Sequence, residues 1–175
     1  AGTRLELLLF RIDDAQLLGI NVFTVQELIH YRRPTPLPGA HPFVKGVANL
    51  RGRTMPILDL ALAVGRGPLQ DIENAHIIIT EYNRSVHGFL VHSVERIVST
   101  MWNQVIPPPK GSDRQSYITS VTVVDGGMIE ILDVEKVLDQ VVKADTSVSD
   151  ELASRGGQAN WKVLLVDDSR VARNQ

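Results

Sequence analysis

The chain has 175 residues, no cysteine and a formal net charge of −2. A hydrophobic content of 43% is enough to bury a core and excludes disorder for most of the chain, while the missing cysteines remove disulfides and thiolate metal sites. No apolar run approaches the roughly 18 residues of a membrane-spanning helix, no signal-peptide pattern opens the chain, and the charge balance offers a polyphosphate partner no basic footprint.

In chain order, the leucine-rich run 5–12 reads as a strand and 17–21 as its hairpin partner across the Asp13-Asp14 turn. Val22, Val25, Leu28 and Ile29 could share one helical face, but the segment is short and β-leaning. A single helical turn at 22–25 followed by a strand at 26–31 is therefore expected. Pro34, Pro36, Pro38 and Pro42 remove donors and fix φ, which makes their stretch an extended connection. Strands at 44–50 and 53–58 then flank a tight turn carrying Gly52.

A second series follows, with strands at 76–82 and 86–91 joined through Asn83-Arg84-Ser85, a strand at 94–99, and the prolines Pro107, Pro108 and Pro109. Strands at 117–124 and 128–132 flank Asp125-Gly126-Gly127, a strong hairpin signal because these residues accept positive φ. Asp133 can cap a helix whose apolar set, Val134, Val137, Leu138, Val141 and Val142, forms one stripe. From 143 to 160 the chain turns to serine and glycine and reads as a linker. WKVLLV at 161–166 restarts as a short strand ending in Asp167-Asp168-Ser169. The chain opens on Ala1 and stops inside this unfinished pattern, as a piece of a longer protein is expected to do.

The two series echo each other. GINVFTVQELI at 19–29 reappears as GFLVHSVERIV at 88–98, and VANLRGRTMPILDL at 47–60 as VTVVDGGMIEILDV at 121–134, with offsets of 69 and then 74 residues. One unit used twice implies a seam between similar halves, and seams favour partner binding. Short strands in two copies suggest two small antiparallel barrels, which hide their edges by closing.

GINVFTVQEL followed by PFVKGVANLRGRTMPILDL resembles the CheW-like coupling domain of bacterial chemotaxis, whose pattern includes Gly-Val-x-Asn-Leu-Arg-Gly and then Pro-Ile-x-Asp-Leu. The likeness covers roughly residues 5–142. VLLVDDSRVAR at 163–173 looks like the opening of a response-regulator receiver, and a CheW-like domain joined by a linker to a receiver is the arrangement of the CheV-type coupling proteins. The resemblance implies a mainly all-β fold of two intertwined five-stranded SH3-like barrels with a C-terminal helix. It implies a coupling domain at 1–142, a linker at 143–160 and the first strand of an incomplete α/β receiver at 161–175. It further implies a non-enzymatic, cytoplasmic adaptor between the histidine kinase CheA, through its regulatory domain, and chemoreceptor tips, held at the membrane-bound array by protein partners alone. The receiver would tune coupling by phosphorylation; the alternative is a phosphate sink for CheA, tethered by the barrels.

By the same resemblance, Val25, Glu27, Leu28, Lys45, Gly46, Asn49, Arg51, His76 and Ile77 are the candidate partner-binding residues. Arg51 leads, because NLRG places a guanidinium at a loop tip where it can grip a carboxylate with two parallel hydrogen bonds. Glu27 breaks an apolar run and must face water or a basic partner. Val25 and Leu28 fit contact and core equally well, and Gly46 and Gly52 fit positive φ or close backbone approach. Asp167 and Asp168 supply the hard oxygen ligands that an intact receiver uses for Mg²⁺, with the phosphoacceptor expected beyond Gln175. His30, His41, His76, His87 and His92 show no i, i+4 helical pair, and that spacing argues against metal ligation. Neither GxSxG, HExxH nor a P-loop occurs, and 5% aromatics leave little for base stacking.

Overall fold

The computed structural model describes residues 3–108 and 117–143. The receiver reading, with Asp167 and Asp168, and nearly all of the linker lie outside the described residues. Among the described residues ten strands form: β1 (Arg4–Arg11), β2 (Leu17–Asn21), β3 (Val25–His30), β4 (Val44–Leu50), β5 (Arg53–Asp59), β6 (His76–Tyr82), β7 (Ser85–Val91), β8 (Ser93–Met101), β9 (Ile118–Val124) and β10 (Gly127–Leu132). A short helix α1 (Leu60–Ala63) follows β5, and a longer helix α2 over 134–143 follows β10. The described residues up to Leu138 form one compact unit, which holds both sheets.

The strands make two five-stranded sheets, ordered β8-β1-β2-β10-β9 and β3-β6-β7-β5-β4. Each contains one parallel pair, β2 with β10 and β5 with β7, and the rest are antiparallel. The expected seam between sequence copies is thus not the seam between sheets. The first copy's opening hairpin, β1-β2, completes the sheet of β8, β9 and β10, while β6-β7 completes that of β3, β4 and β5. This exchange of hairpins makes the barrels intertwined.

Local chemistry explains the shared design. In each copy a glycine stands opposite an isoleucine across the parallel pair, Gly19 with Ile131 and Gly88 with Ile57. A Cβ added at Gly88 would lie 2.7 Å from Ile57 Cδ1 and 2.8 Å from Ile77 Cγ2, so the close approach requires glycine. Three hairpins turn through two residues of positive φ, at Arg51-Gly52, Asn83-Arg84 and Asp125-Gly126, the backbone that matches strand twist. Both proline stretches cross an edge strand by one bridge, Thr35 to Val47 and Ile106 to Val121.

The interior of the first sheet gathers Leu5, Leu7, Leu9, Ile129 and Ile131, all buried. Leu8 and Phe10 on the alternate face of β1 are buried too, so this strand is enclosed on both sides. Helix α1 has no counterpart among the expected elements. Asp59 accepts the Leu62 N–H at 3.2 Å as its cap, as Asp133 accepts the Glu135 N–H at 3.0 Å at the start of α2. The stripe expected on α2 is shorter than its spacing implied: Val134, Val137, Leu138 and Val141 are buried, whereas Val142 is 52% exposed.

Candidate functional site

All nine candidate residues fall in the second sheet or on its β4-β5 turn. Arg51 occupies the turn tip at φ 52°, with Gly52 following at φ 80°. Asn49 braces the turn by accepting the Gly52 N–H at 3.2 Å and donating to Thr54 Oγ1 at 3.2 Å. The arginine reaches β3 on the opposite edge of its sheet, where Nη1 and Nη2 donate to Glu27 Oε1 and Oε2 at 2.5 Å each.

The bidentate grip expected for a partner's carboxylate is therefore made inside the chain. The hydrogen bond from Arg51 holds the Glu27 carboxyl below its ordinary value, and Glu27 raises the guanidinium in return. The Arg51 side chain keeps 68% of its surface exposed, and a guanidinium has five N–H donors, more than the pair with Glu27 uses. The pair also joins β3 to the tip of β4, the two edges of the sheet.

The other candidates separate by depth. Leu28 is 42% exposed, which removes the core reading for it, while Val25 is half-buried. Lys45 faces solvent. Gly46 is buried at φ 150°, where a Cβ would stand 2.2 Å from Thr35 O, so close approach of the proline stretch explains this glycine. Ile77 is wholly buried and reaches no partner docked on the folded surface. His76 lies beside it, paired with His30 on β3. Among the nine, side-chain hydrogen bonds join Arg51 to Glu27.

One feature of the same kind was not anticipated. In the first sheet Arg96 on β8 donates to Asp125 Oδ2 at 2.9 Å at the tip of the β9-β10 turn. The sequence echo places Arg96 at the position of Glu27 and Asp125 at that of Arg51, so the second pair repeats the first with its charges exchanged. Beside it Ile97, the counterpart of Leu28, is 55% exposed. The signal lies in the repeat itself, whose matched positions 27 and 96, and 51 and 125, carry opposite charges. A cavity of ≈ 220 Å³ lies against the first sheet, lined among others by Leu7, Ile20, Thr24, Trp102 and Ile131. None of its lining residues belongs to β3–β7, so it is not a groove between the barrels.

A family model described as the CheW-like domain matches residues 6–142. The chain is similar to chemotaxis protein CheV3 of Helicobacter pylori, 34% identical over 183 residues, covering 98% of this chain and 58% of that protein. It is also similar to chemotaxis protein CheW of Klebsiella aerogenes, 30% identical over 135 residues, covering 76% of this chain and 81% of that protein. Among solved structures, the scaffolding protein TtCheW from Thermoanaerobacter tengcongensis aligns with a TM-score of 0.67 at 26% identity, covering 74% of this chain and 89% of that one.

Proposed function

The chain belongs to the CheW-like domain family, and from that membership we propose that it is a chemotaxis adaptor coupling chemoreceptor cytoplasmic tips to the histidine kinase CheA. It is a binding module rather than a catalyst. The observation that carries this reading is the family match across 6–142 together with an exposed β3 edge on which Leu28 and the Glu27–Arg51 pair lie side by side. Faces of roughly 800 Å² per partner suffice for specific docking, and weaker ones are reinforced when many copies act together in an array. The residues proposed to meet partners are Val25, Glu27, Leu28, Lys45, Asn49, Arg51 and His76, with Gly46 and Ile77 shaping the backbone beneath them.

The proposal extends to regulation. A linker over 143–160 and a receiver beginning at 161 would let phosphorylation tune the coupling, with Asp167 and Asp168 holding Mg²⁺ in the intact receiver. The likeness to CheV3 along 98% of this chain supports that organisation. Its site of action is the cytoplasmic face of the receptor array. Immobilised CheA regulatory domain and a receptor-tip fragment should each retain the protein, and Arg51→Glu should weaken retention at unchanged fold. Failure of both baits to retain the unaltered protein would reject the adaptor reading.

A further inference from the structure

His30 closes β3 and His76 opens β6, and the antiparallel register sets them directly opposite each other. Tyr31 N donates to Ala75 O at 3.0 Å, which makes His30 and His76 a non-hydrogen-bonded pair, the kind whose side chains stand closest. Their ring centroids are 5.0 Å apart with planes inclined at 42°.

That separation lies within the range open to two imidazoles on one metal ion. With metal–nitrogen bonds of about 2.0–2.1 Å and ring centres about 1.1 Å further out, two imidazoles on one ion have centres about 4.5–5.2 Å apart at angles between square and tetrahedral. His30 is exposed and provides an entry path. His76 is half-buried, and its Nδ1 is out of water with no hydrogen-bonding partner. Burial, and then the neighbouring His30, hold the His76 imidazole below its ordinary pKa, which keeps a ring lone pair available near neutral pH.

We propose that His30 and His76 form a two-imidazole chelate for a late first-row divalent cation of the Ni²⁺, Cu²⁺ and Zn²⁺ class, with water completing the coordination. Imidazole suits these ions. Among the described residues no group of three or more histidines, aspartates or glutamates gathers, so the chelate rests on two protein ligands and leaves open positions. The spacing argument against metal binding considered residues along one helix, whereas this pair is assembled across two strands. A bound ion ties the edge strand β3 to β6 and binds the folded chain in preference to the unfolded one, in which the two rings are far apart.

Calorimetric titration of the protein with NiCl₂ should give one ion per chain, and thermal unfolding with millimolar Ni²⁺ should show a raised Tm that EDTA reverses. Both effects should vanish in His30→Ala and in His76→Ala and persist in His41→Ala, whose ring packs on Phe43. Because His30 is exposed, its variant is expected to fold. Should His76→Ala not fold, the Cu²⁺ electron paramagnetic resonance spectrum decides, with two-nitrogen ligation expected in the unaltered protein and one of the two nitrogens lost in His30→Ala. An unaltered metal response in His30→Ala, or no binding at millimolar Ni²⁺, Cu²⁺ and Zn²⁺, would overturn the proposal.

Discussion

Arg51 combines two demands on one residue, a left-handed backbone at φ 52° and a side chain long enough to cross from the β4-β5 turn to Glu27. Its exposure makes it a poor stabiliser and a good recognition group, since exposed ion pairs contribute little to folding. Arg51→Glu should therefore weaken partner binding about tenfold or more through like-charge juxtaposition, while the Tm moves little. The exchanged pair Glu27→Arg with Arg51→Glu recreates the polarity that Arg96 and Asp125 already display. Binding should stay lost in the exchanged variant, because a partner reads the sign of each charge; calorimetry showing recovery would mean that closing the sheet is all the pair does. His76 and His87 are both held below the ordinary histidine pKa, chiefly by burial. A lowered folded pKa means the folded state favours neutral imidazole. The associated stability is complete above the unfolded value of about 6.5 and is lost as pH falls through the folded pKa. The Tm should therefore fall as the pH is lowered from about 6.5, with a smaller fall in His87→Gln measured side by side.

At the scale of elements, the two aspartates that follow Ile-Leu in each copy differ in how much they carry. Asp59 is fully buried and accepts two backbone N–H groups, Leu62 at 3.2 Å and Leu69 at 2.9 Å, so it caps α1 and fastens the loop beyond it. Asp133 is half-buried, and its Oδ1 caps α2. Asp59→Ala should cost about 2–4 kcal/mol, a lost cap plus a stranded buried donor, and Asp133→Ala about 1 kcal/mol, as chemical denaturation can read. Gly46→Ala should cost about 2–4 kcal/mol, since its methyl group meets the Thr35 carbonyl and its backbone suits glycine. The strands were legible in the sequence because turn residues mark most of their ends and the prolines punctuate the long connections. Helix α1 escaped notice because four residues, Leu60–Ala63, are too few to display a period. The homology of Leu58-Asp59-Leu60 with Leu132-Asp133-Val134 would have revealed it. Arg51 was legible as a loop-tip guanidinium through its NLRG setting and Glu27 as a carboxylate facing water or a basic group, but their pairing was not, because the closure that joins opposite sheet edges has no local signature.

At the scale of the molecule, the exchange of hairpins was hidden for a reason intrinsic to repeats. Gly19 faces Ile131 and Gly88 faces Ile57; an unexchanged fold would set Gly19 against Ile57 and Gly88 against Ile131, the same residue types in both arrangements. Side-chain pattern cannot separate two pairings that bury identical groups. The consequence is an unequal division of the chain. The sheet of β3-β6-β7-β5-β4 comes from the continuous stretch 25–91, whereas the other joins 4–21 to 93–132 across that insertion. Cooperative units follow contacts rather than sequence, so native-state hydrogen exchange should group amides of β1 and β2 with those of β8, β9 and β10, and place β3 to β7 in a second group. Leu9→Ala tests the division, because Leu9 is wholly buried in the cluster of Leu5, Leu7, Ile129 and Ile131. It should cost about 2–5 kcal/mol and lower protection at Ile20 and Ile129 before Ile57 and Ile78. Protection lost together in residues before 60 and retained in 121–132 would show instead that the two sequence copies, and not the two sheets, are the units that open.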